Sequence, residues 1–480
     1  FLKITTALLF ILISFSIKAQ TEPVLPFHDT FKESETAINI AKIYYSVDSI
    51  NITGNVKTRA QIILRELTFK TGDSISYTDN NFEQSRRQIL NTNLFNEVVI
   101  YSKDGIVFIQ VSERWYVWPI PVIHIADRNF NQWFLTRDYR RVIYGLQLKW
   151  YNLRGRNETM TLTLAGGYTK EAGISYKIPY INKSKTLGLS FAFLTSKNKE
   201  IWYKTDLDKV QFLRSNDNIL IKRLGVEASL QYRRKIFLYH NLTAGYRHTN
   251  ISDTVIKNSV NPGFLLDGTH QSEIFQAYSV VYDKRDIKGY ALKGFYFKGE
   301  ITNTVLSPGT QNYQYFMLKG YAAKYFKLAP RWYTGIGAGG RYTTVKSLPY
   351  NNIRALGYNA DYLRGYEYYV IDGTSYGLAK SNVKFKLLEK KYYTKKLIKN
   401  YREVPAALFM TVFYDAGYVV KTGNTFNEIN PGVNKMPGAF QYGYGTGLDV
   451  VLYYNYVVRI EYAINRYNDH FLYLHFIAPL

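Results

Sequence analysis

From Trp115 onward the chain is written with a period of two: segments of about ten residues alternate apolar and polar side chains, with turn residues between them. Leu146, Leu148 and Trp150 fall on one face of such a segment, Gln147 and Lys149 on the other. Val226, Ala228, Leu230 and Tyr232 likewise oppose Glu227, Ser229, Gln231 and Arg233, and Val458, Ile460, Tyr462 and Ile464 oppose Arg459 and Glu461. That period belongs to β-strands, whose successive side chains point to opposite faces. Mean hydropathy is slightly negative, and past residue 19 no apolar run approaches the roughly 18–20 residues of a membrane helix. A membrane barrel reads this way because only alternate residues meet lipid. The 45 tyrosines, against 28 phenylalanines, suit its two interfaces, since a tyrosine ring is apolar with a polar tip.

Placed end to end, the segments make about 16 strands, an even number as closed bacterial barrels require. Alternate links are short, at 152–156, 179–185, 234–236, 284–291 and 453–455. The others are mostly long, at 127–140, 196–217, 251–270, 346–375 and 421–438. Short periplasmic turns alternating with long outer loops are the layout of an outer-membrane barrel, in which the charged face lines the lumen. The fold expected over 115–480 is therefore an all-β transmembrane barrel of antiparallel strands.

The N-terminal residues read differently. Lys3, the apolar run Ala7–Ile17 and the small-residue point at Ile17-Lys18-Ala19-Gln20 mark residues 1–19 as a secretory signal peptide. Residues 20–43, with Pro23 and Pro26, read as a linker. Over 44–114 the pattern predicts a strand at Tyr45–Ile52 and a helix at Thr58–Thr68 capped by Thr58. A second helix from about Thr78-Asp79 carries Phe82, Ile89 and Leu90, and strands at Val98–Tyr101 and Ile106–Val111 flank an Asp-Gly hairpin turn. This is one small α+β domain. Without cysteine, disulfides and thiolate chemistry are excluded.

The net charge of +24 allows nucleic acid, anionic lipid headgroups or solvated loops as its reason. Basic residues spread through strands and loops, rather than gathered in one module, argue against nucleic acid in an exported chain. Seven histidines show no metal-ligand spacing, and there is no G-x-S-x-G or phosphate loop, so no enzyme, cofactor or metal is expected.

Within the small domain, Ile50-Asn51-Ile52-Thr53-Gly54 and Gly72-Asp73 precede Arg87, Ile89 and Leu90; Leu94-Phe95-Asn96-Glu97-Val98 and Val111-Ser112-Glu113 follow. That order resembles a POTRA module of the BamA/TamA-like bacterial surface antigen superfamily. Asn152-Leu153-Arg154-Gly155-Arg156-Asn157 resembles the first inner turn of that family. Asp283-Lys284-Arg285-Asp286 with Gly294 resembles its central D-x-R-D turn, Leu363-Arg364-Gly365-Tyr366 its loop-tip motif, and Phe413-Tyr414-Asp415-Ala416-Gly417 the F-x-D-x-G of its thirteenth strand. The resemblance covers nearly all of 44–480. It implies an outer-membrane barrel with one periplasmic POTRA domain that captures extended clients and assists their insertion or translocation. It also implies unfolded outer-membrane or secreted polypeptides, outer-membrane lipids and periplasmic or lipoprotein subunits as partners. Composition and periodicity alone leave a passive pore, a surface-binding protein and a structural envelope subunit as alternatives. Two residues depart from the family: Ala291 replaces a turn proline, implying a less rigid turn, and Lys384 replaces an inward carboxylate of the twelfth strand.

Phe413, Asp415 and Gly417 share one strand face, and Gly443, Gly445 and Gly447 leave a bare wall on the next strand. A lumenal Asp415 needs a cation. Loop 346–375, folded inward, would supply Arg364, whose planar fork matches a carboxylate, with Gly365 and Tyr366 beside it. Asp283, Arg285, Asp286 and Gly294 read as turn residues. Val98, Val99 and Ile100 would offer extended clients a strand edge. Pro119 and Pro121 remove donors from one edge of the first barrel strand, weakening the seam with the last. The turn 389–403, with Lys390, Lys391, Lys395, Lys396, Lys399 and Arg402, is a solvated charge run or a dock for headgroups or a periplasmic partner.

Overall fold

The computed structural model describes residues 44–76, 81–126, 133, 137–233, 235–257, 260–307, 312–358, 361–393, 403–421, 434–452 and 456–476. The signal peptide and linker expected over 1–43 lie outside them, as do Lys395, Lys396, Lys399 and Arg402 of the basic turn.

In the small domain, β1 (Tyr44–Ser46) pairs with β3 (Ser74–Ser76). Strands β2 (Ser49–Thr53), β5 (Ile106–Glu113) and β4 (Phe95–Lys103) form a sheet in that order, β2 parallel to β5 and β4 antiparallel. Asp104 and Gly105, both at positive φ, make the two-residue turn between β4 and β5. Helices α1 (Ala60–Leu64) and α2 (Asn81–Leu90) lay Ile62, Ile63 and Ile89 on Val47, Val98, Val107 and Ile109. The single strand expected at Tyr45–Ile52 is two, parted where the Val47 and Asp48 N–H groups turn aside to the Asp73 and Gly105 carbonyls. The first helix is shorter than its apolar spacing suggests, and Arg59, not Thr58, is its N-cap. The Thr58 hydroxyl is taken by Tyr116 Oη (2.9 Å) and Asn152 Nδ2 (2.8 Å), a tertiary claim that sequence could not reveal. The Thr78-Asp79 start of the second helix lies outside the described residues.

Sixteen strands then form one antiparallel sheet. The first eight are β6 (Val117–Ile125), β7 (Val142–Leu153), β8 (Glu158–Gly167), β9 (Thr169–Ile178), β10 (Leu187–Asn198), β13 (Ile221–Tyr232), β14 (Leu238–Ile251) and β15 (His270–Asp283). The rest are β16 (Gly294–Ser307), β17 (Tyr313–Ala329), β18 (Trp332–Thr343), β21 (Tyr376–Tyr393), β22 (Glu403–Val419), β23 (Phe440–Leu452), β24 (Tyr456–Asn465) and β25 (His470–His475). Among the described residues, two long outer links carry strands of their own: a hairpin of β11 (Glu200–Asp206) and β12 (Lys209–Arg214), and a short pair of β19 (Arg354–Leu356) and β20 (Ile371–Asp372). The basic segment expected as turn from 389 is strand as far as Tyr393, so Lys390 and Lys391 belong to the β21–β22 ladder.

Burial sorts the two faces. Leu146, Leu164, Leu242, Ile274, Ile336 and Val412 are each more than half exposed, whereas Thr411, Asp415, Asp449, Arg459 and Glu461 are at most 1% exposed. Apolar outside and charged inside is the reverse of a water-soluble sheet and fits a lipid-embedded barrel. On the outward face of β14, His240 stacks with Tyr278 and His248 with Tyr246 and His270, so aromatic rings bracket Leu242 and Ala244. The eight residue steps from His240 to His248 span about 27 Å of strand, or about 20 Å of height at a tilt of about 40°, close to the apolar belt of such barrels.

The small domain docks on the inner turns of the barrel. Glu66 accepts two hydrogen bonds from Arg233 (2.7 and 2.8 Å) and one from Tyr180 Oη (3.0 Å). Arg65 donates to the carbonyls of Lys185 and Arg233, and Arg59 N–H donates to Gly155 O. Charge-assisted, desolvated and spread over the turns after β7, β9 and β13, these bonds fix the domain's angle on the rim. Substituting Glu66→Ala leaves the Arg233 charge buried and unpaired, a loss of about 3–5 kcal/mol. Hydrogen exchange over 58–66 and 180–185 should then rise while the barrel keeps its heat-modifiable gel mobility; unchanged exchange would show that the pair does not hold the domain.

Candidate functional site in the barrel lumen

The link between β18 and β21 turns into the barrel. Its β19–β20 pair forms a stalk, and its tip reaches the inward faces of β22, β23 and β24. At the tip Arg364 is fully buried. Its Nε donates to Asp415 Oδ2 at 2.8 Å, its backbone N–H to the same oxygen at 3.1 Å, and Nη2 reaches both Asp415 Oδ1 and the Ser381 carbonyl. The guanidinium lies over the Phe413 ring, 4.0 Å from its centroid. This arrangement satisfies the carboxylate and covers the cation's face at once. Asn465 Nδ2 donates to Gly365 O (3.1 Å), while the Tyr366 hydroxyl meets Gln441 Oε1 (3.1 Å) and the Tyr442 carbonyl (3.0 Å). The close approach depends on Gly443, where a Cβ would stand 2.0 Å from the Arg364 carbonyl oxygen.

From the opposite end, the β15–β16 turn also enters the lumen. Arg285 forks onto Asp283 (2.8 and 2.9 Å), and Asp286 Oδ1 accepts the N–H groups of Ile287 and Leu292. A Cβ on Gly294 would stand 2.1 Å from Lys284 O, so the turn closes only over glycine. Ala291 is buried beneath it, against Ala323 and Tyr325. Tyr290 then reaches across to donate to Asp449 Oδ2 (2.6 Å), with Lys384 Nζ 4.2 Å above its ring. Lys384 thus faces inward where the resemblance leads one to expect a carboxylate. Asp449 is held as well by its cross-strand partner Arg459, through both Nε and Nη2, and by Thr411. This second buried ion pair was not singled out in the sequence; its signal there was only a charged residue at an inward position of each of two adjacent strands.

The outer mouth is crossed as well. At the tip of the β11–β12 hairpin, Asp208 takes the N–H groups of Lys435 and Met436 (3.0 and 3.2 Å), and its own carbonyl accepts Val370 N–H (2.8 Å). Burial pushes the Asp208 carboxyl above its ordinary range, against the pull of those two N–H groups. Thr205 joins the hydroxyls of Tyr350 and Tyr358. Between plug and turn remains a cavity of about 320 Å³ lined by Arg285, Lys288, Tyr321, Tyr325, Asp361 and Lys380 among others.

Residues 152–470, about two thirds of the chain, match the Omp85 superfamily domain. The chain belongs to the Omp85 superfamily. Residues 45–114 match the POTRA family described as a surface antigen variable number repeat. Among solved structures, this Omp85 chain is similar to BamA from Haemophilus ducreyi lacking POTRA domains 1-3 (TM-score 0.52, 14% identity, 88% of this chain and 81% of that one). It is also similar to CdiB from Escherichia coli (TM-score 0.50, 10% identity, 92% of each chain). At such identities the likeness is one of fold alone. None of the curated proteins matches the sequence.

The remaining candidate residues of this Omp85 chain lie apart from the plug. Val98, Val99 and Ile100 sit on β4, one of the two edge strands of the POTRA sheet, with Val98 in the core and Val99 exposed. Pro119 and Pro121 lie on β6 opposite Leu148 and Leu146 of β7. Among the described residues β6 and β25 are the two ends of the ladder order. Two variants probe the plug. Asp415→Asn strips the counter-charge from a buried arginine, a loss of about 3–5 kcal/mol, and Gly443→Ala pushes the tip away without touching any charge. Both should raise hydrogen exchange over 361–372, and an unchanged tip in G443A would show that the contact is not required.

Proposed function

We propose that this Omp85 barrel assists the insertion or translocation of polypeptides at the bacterial outer membrane, with its POTRA domain in the periplasm capturing extended clients along Val98, Val99 and Ile100. The observation that carries this reading is the place of β4 at an edge of its sheet, in a domain clamped to the barrel rim. An edge strand offers a row of backbone donors and acceptors to an extended chain, the basis of β-augmentation. Only residues 114–116 separate β5 from β6, so a captured segment is held beside the first barrel strand.

That strand suits the next step. The β6–β7 register runs through both prolines, and proline is tolerated in a strand where its missing donor faces away from the paired neighbour. The absent donors then fall on the side of β25, which has six residues against nine in β6. A seam short of donors parts at lower cost and admits an incoming strand. A passive pore needs an open path; here the Arg364 loop, the Tyr290 turn and the β11–β12 hairpin cross the lumen, which favours client handling. Outer-membrane lipids and periplasmic or lipoprotein subunits complete the proposed set of partners.

In liposomes carrying the purified barrel, unfolded outer-membrane proteins should become protease-resistant faster than in empty liposomes. The gain should vanish on deleting residues 44–113, or when a disulfide bridges β6 to β25, and return on reduction. Equal rates with and without the barrel across several clients would point instead to a structural role in the envelope.

A further inference from the structure

One cluster in the lumen is not accounted for by the two arginine pairs. Glu367 of the loop tip, Glu461 of β24 and His475 of β25 each present a ligand atom within 4.8 Å of the others. All three are at most 9% exposed. Arg364 and Arg459 each have an aspartate of their own, and Arg459 Nη1 stays 3.8 Å from Glu461 Oε2. Both carboxylate oxygens of Glu461 and Nε2 of His475 are buried, and among the described residues they make no hydrogen bond. The hydroxyls of Tyr362 and Tyr473, whose rings lie 5.9 and 6.4 Å from that of His475, are likewise buried and unbonded. So many unsatisfied polar atoms in one place call for a missing partner.

The distances say what kind. His475 Nε2 stands 3.3 Å from Glu461 Oε1 and 3.4 Å from Glu367 Oε1. A charge-assisted N–H···O bond closes to about 2.7–2.9 Å. Two ligand atoms held tetrahedrally on zinc at about 2.0–2.1 Å are instead about 3.3–3.4 Å apart. The geometry points to a divalent transition-metal site, of the zinc type, built from His475 Nε2, Glu461 and Glu367 Oε1. One imidazole and two carboxylates match zinc's mixed N/O preference, whereas calcium and magnesium take all-oxygen shells. A fourth position is left for water. Glu367 Oε2 already accepts Gly365 N–H (2.9 Å), which fixes the carboxylate that would bind. The ion would fasten the loop tip to β24 and to β25, the last strand, and so stiffen one lip of the seam. This inference rests on side-chain geometry and not on the client-handling reading.

The test uses the full chain refolded in detergent with zinc or with a chelator, then gel-filtered. Elemental analysis should find one zinc per wild-type chain after refolding with zinc. Cobalt(II) in its place should give the strong visible absorption of a tetrahedral site. Glu461→Gln and His475→Asn should each lose metal affinity by at least about tenfold, while His248→Asn, on the outer face, keeps it. Heat-modifiable gel mobility reports whether each variant folds. Folded wild-type protein that retains no zinc and gives no tetrahedral cobalt spectrum would overturn the site, whatever the variants do. So would folded H475N that binds as wild type does. In either case the cluster is a protonated imidazole shared by two carboxylates.

Discussion

A guanidinium removed from water and set against a single carboxylate holds the inside of this protein together. Arg364 and Asp415 come from segments that meet only when the link after β18 folds into the barrel, and both are fully buried. Charges in such surroundings are tolerated only as a closely bonded pair, so the loop has one place to rest and the lumen one way to be filled. Gly443 lets the loop backbone lie against the wall, Phe413 covers the cation, and the Tyr366 hydroxyl pins the tip to β23. Without this plug the inward-facing Lys380, Glu461 and Arg459 would line a wet channel; with it they are buried.

A second pair repeats the principle toward the inner turns. Asp449 and Arg459 are cross-strand neighbours, and the Tyr290 hydroxyl closes the pair from the β15–β16 turn. The Glu66–Arg233 contact carries it to the rim, where it ties the POTRA domain to the turn after β13. Buried acid–arginine pairs thus sit at the loop tip, in the wall and at the domain junction. The pairs at the loop tip and the junction join elements far apart in sequence, the pair in the wall joins adjacent strands, and each costs more to break than an exposed pair would.

Much of this was legible beforehand. The period-two alternation carried the barrel because a strand in a lipid-facing sheet has no other way to divide its residues. Asp104-Gly105 marked its hairpin because few dipeptides accept two positive φ values in succession. The positions of Arg364, Asp415 and the glycines of β23 could be found from face-sharing and motif together. Thr58 is the instructive failure: an ordinary helix cap by local rules, it serves instead as a bridge from Tyr116 to Asn152. The two-residue break at Val47-Asp48 was hidden for the same reason, since its cause is the Asp73 and Gly105 carbonyls.

Sequence by itself determined the elements: strand after strand of alternating residues, short inner turns, long outer links and a small α+β domain ahead of them. These follow from side-chain period and turn chemistry, which act over a few residues. Only the tertiary structure decided what the long links do and which charges meet. Asp208 meeting Lys435, Tyr290 meeting Asp449 and Glu367 meeting His475 are separated by hundreds or scores of residues. No local period records such meetings, because they are fixed by barrel curvature and by the need of each buried charge for a partner.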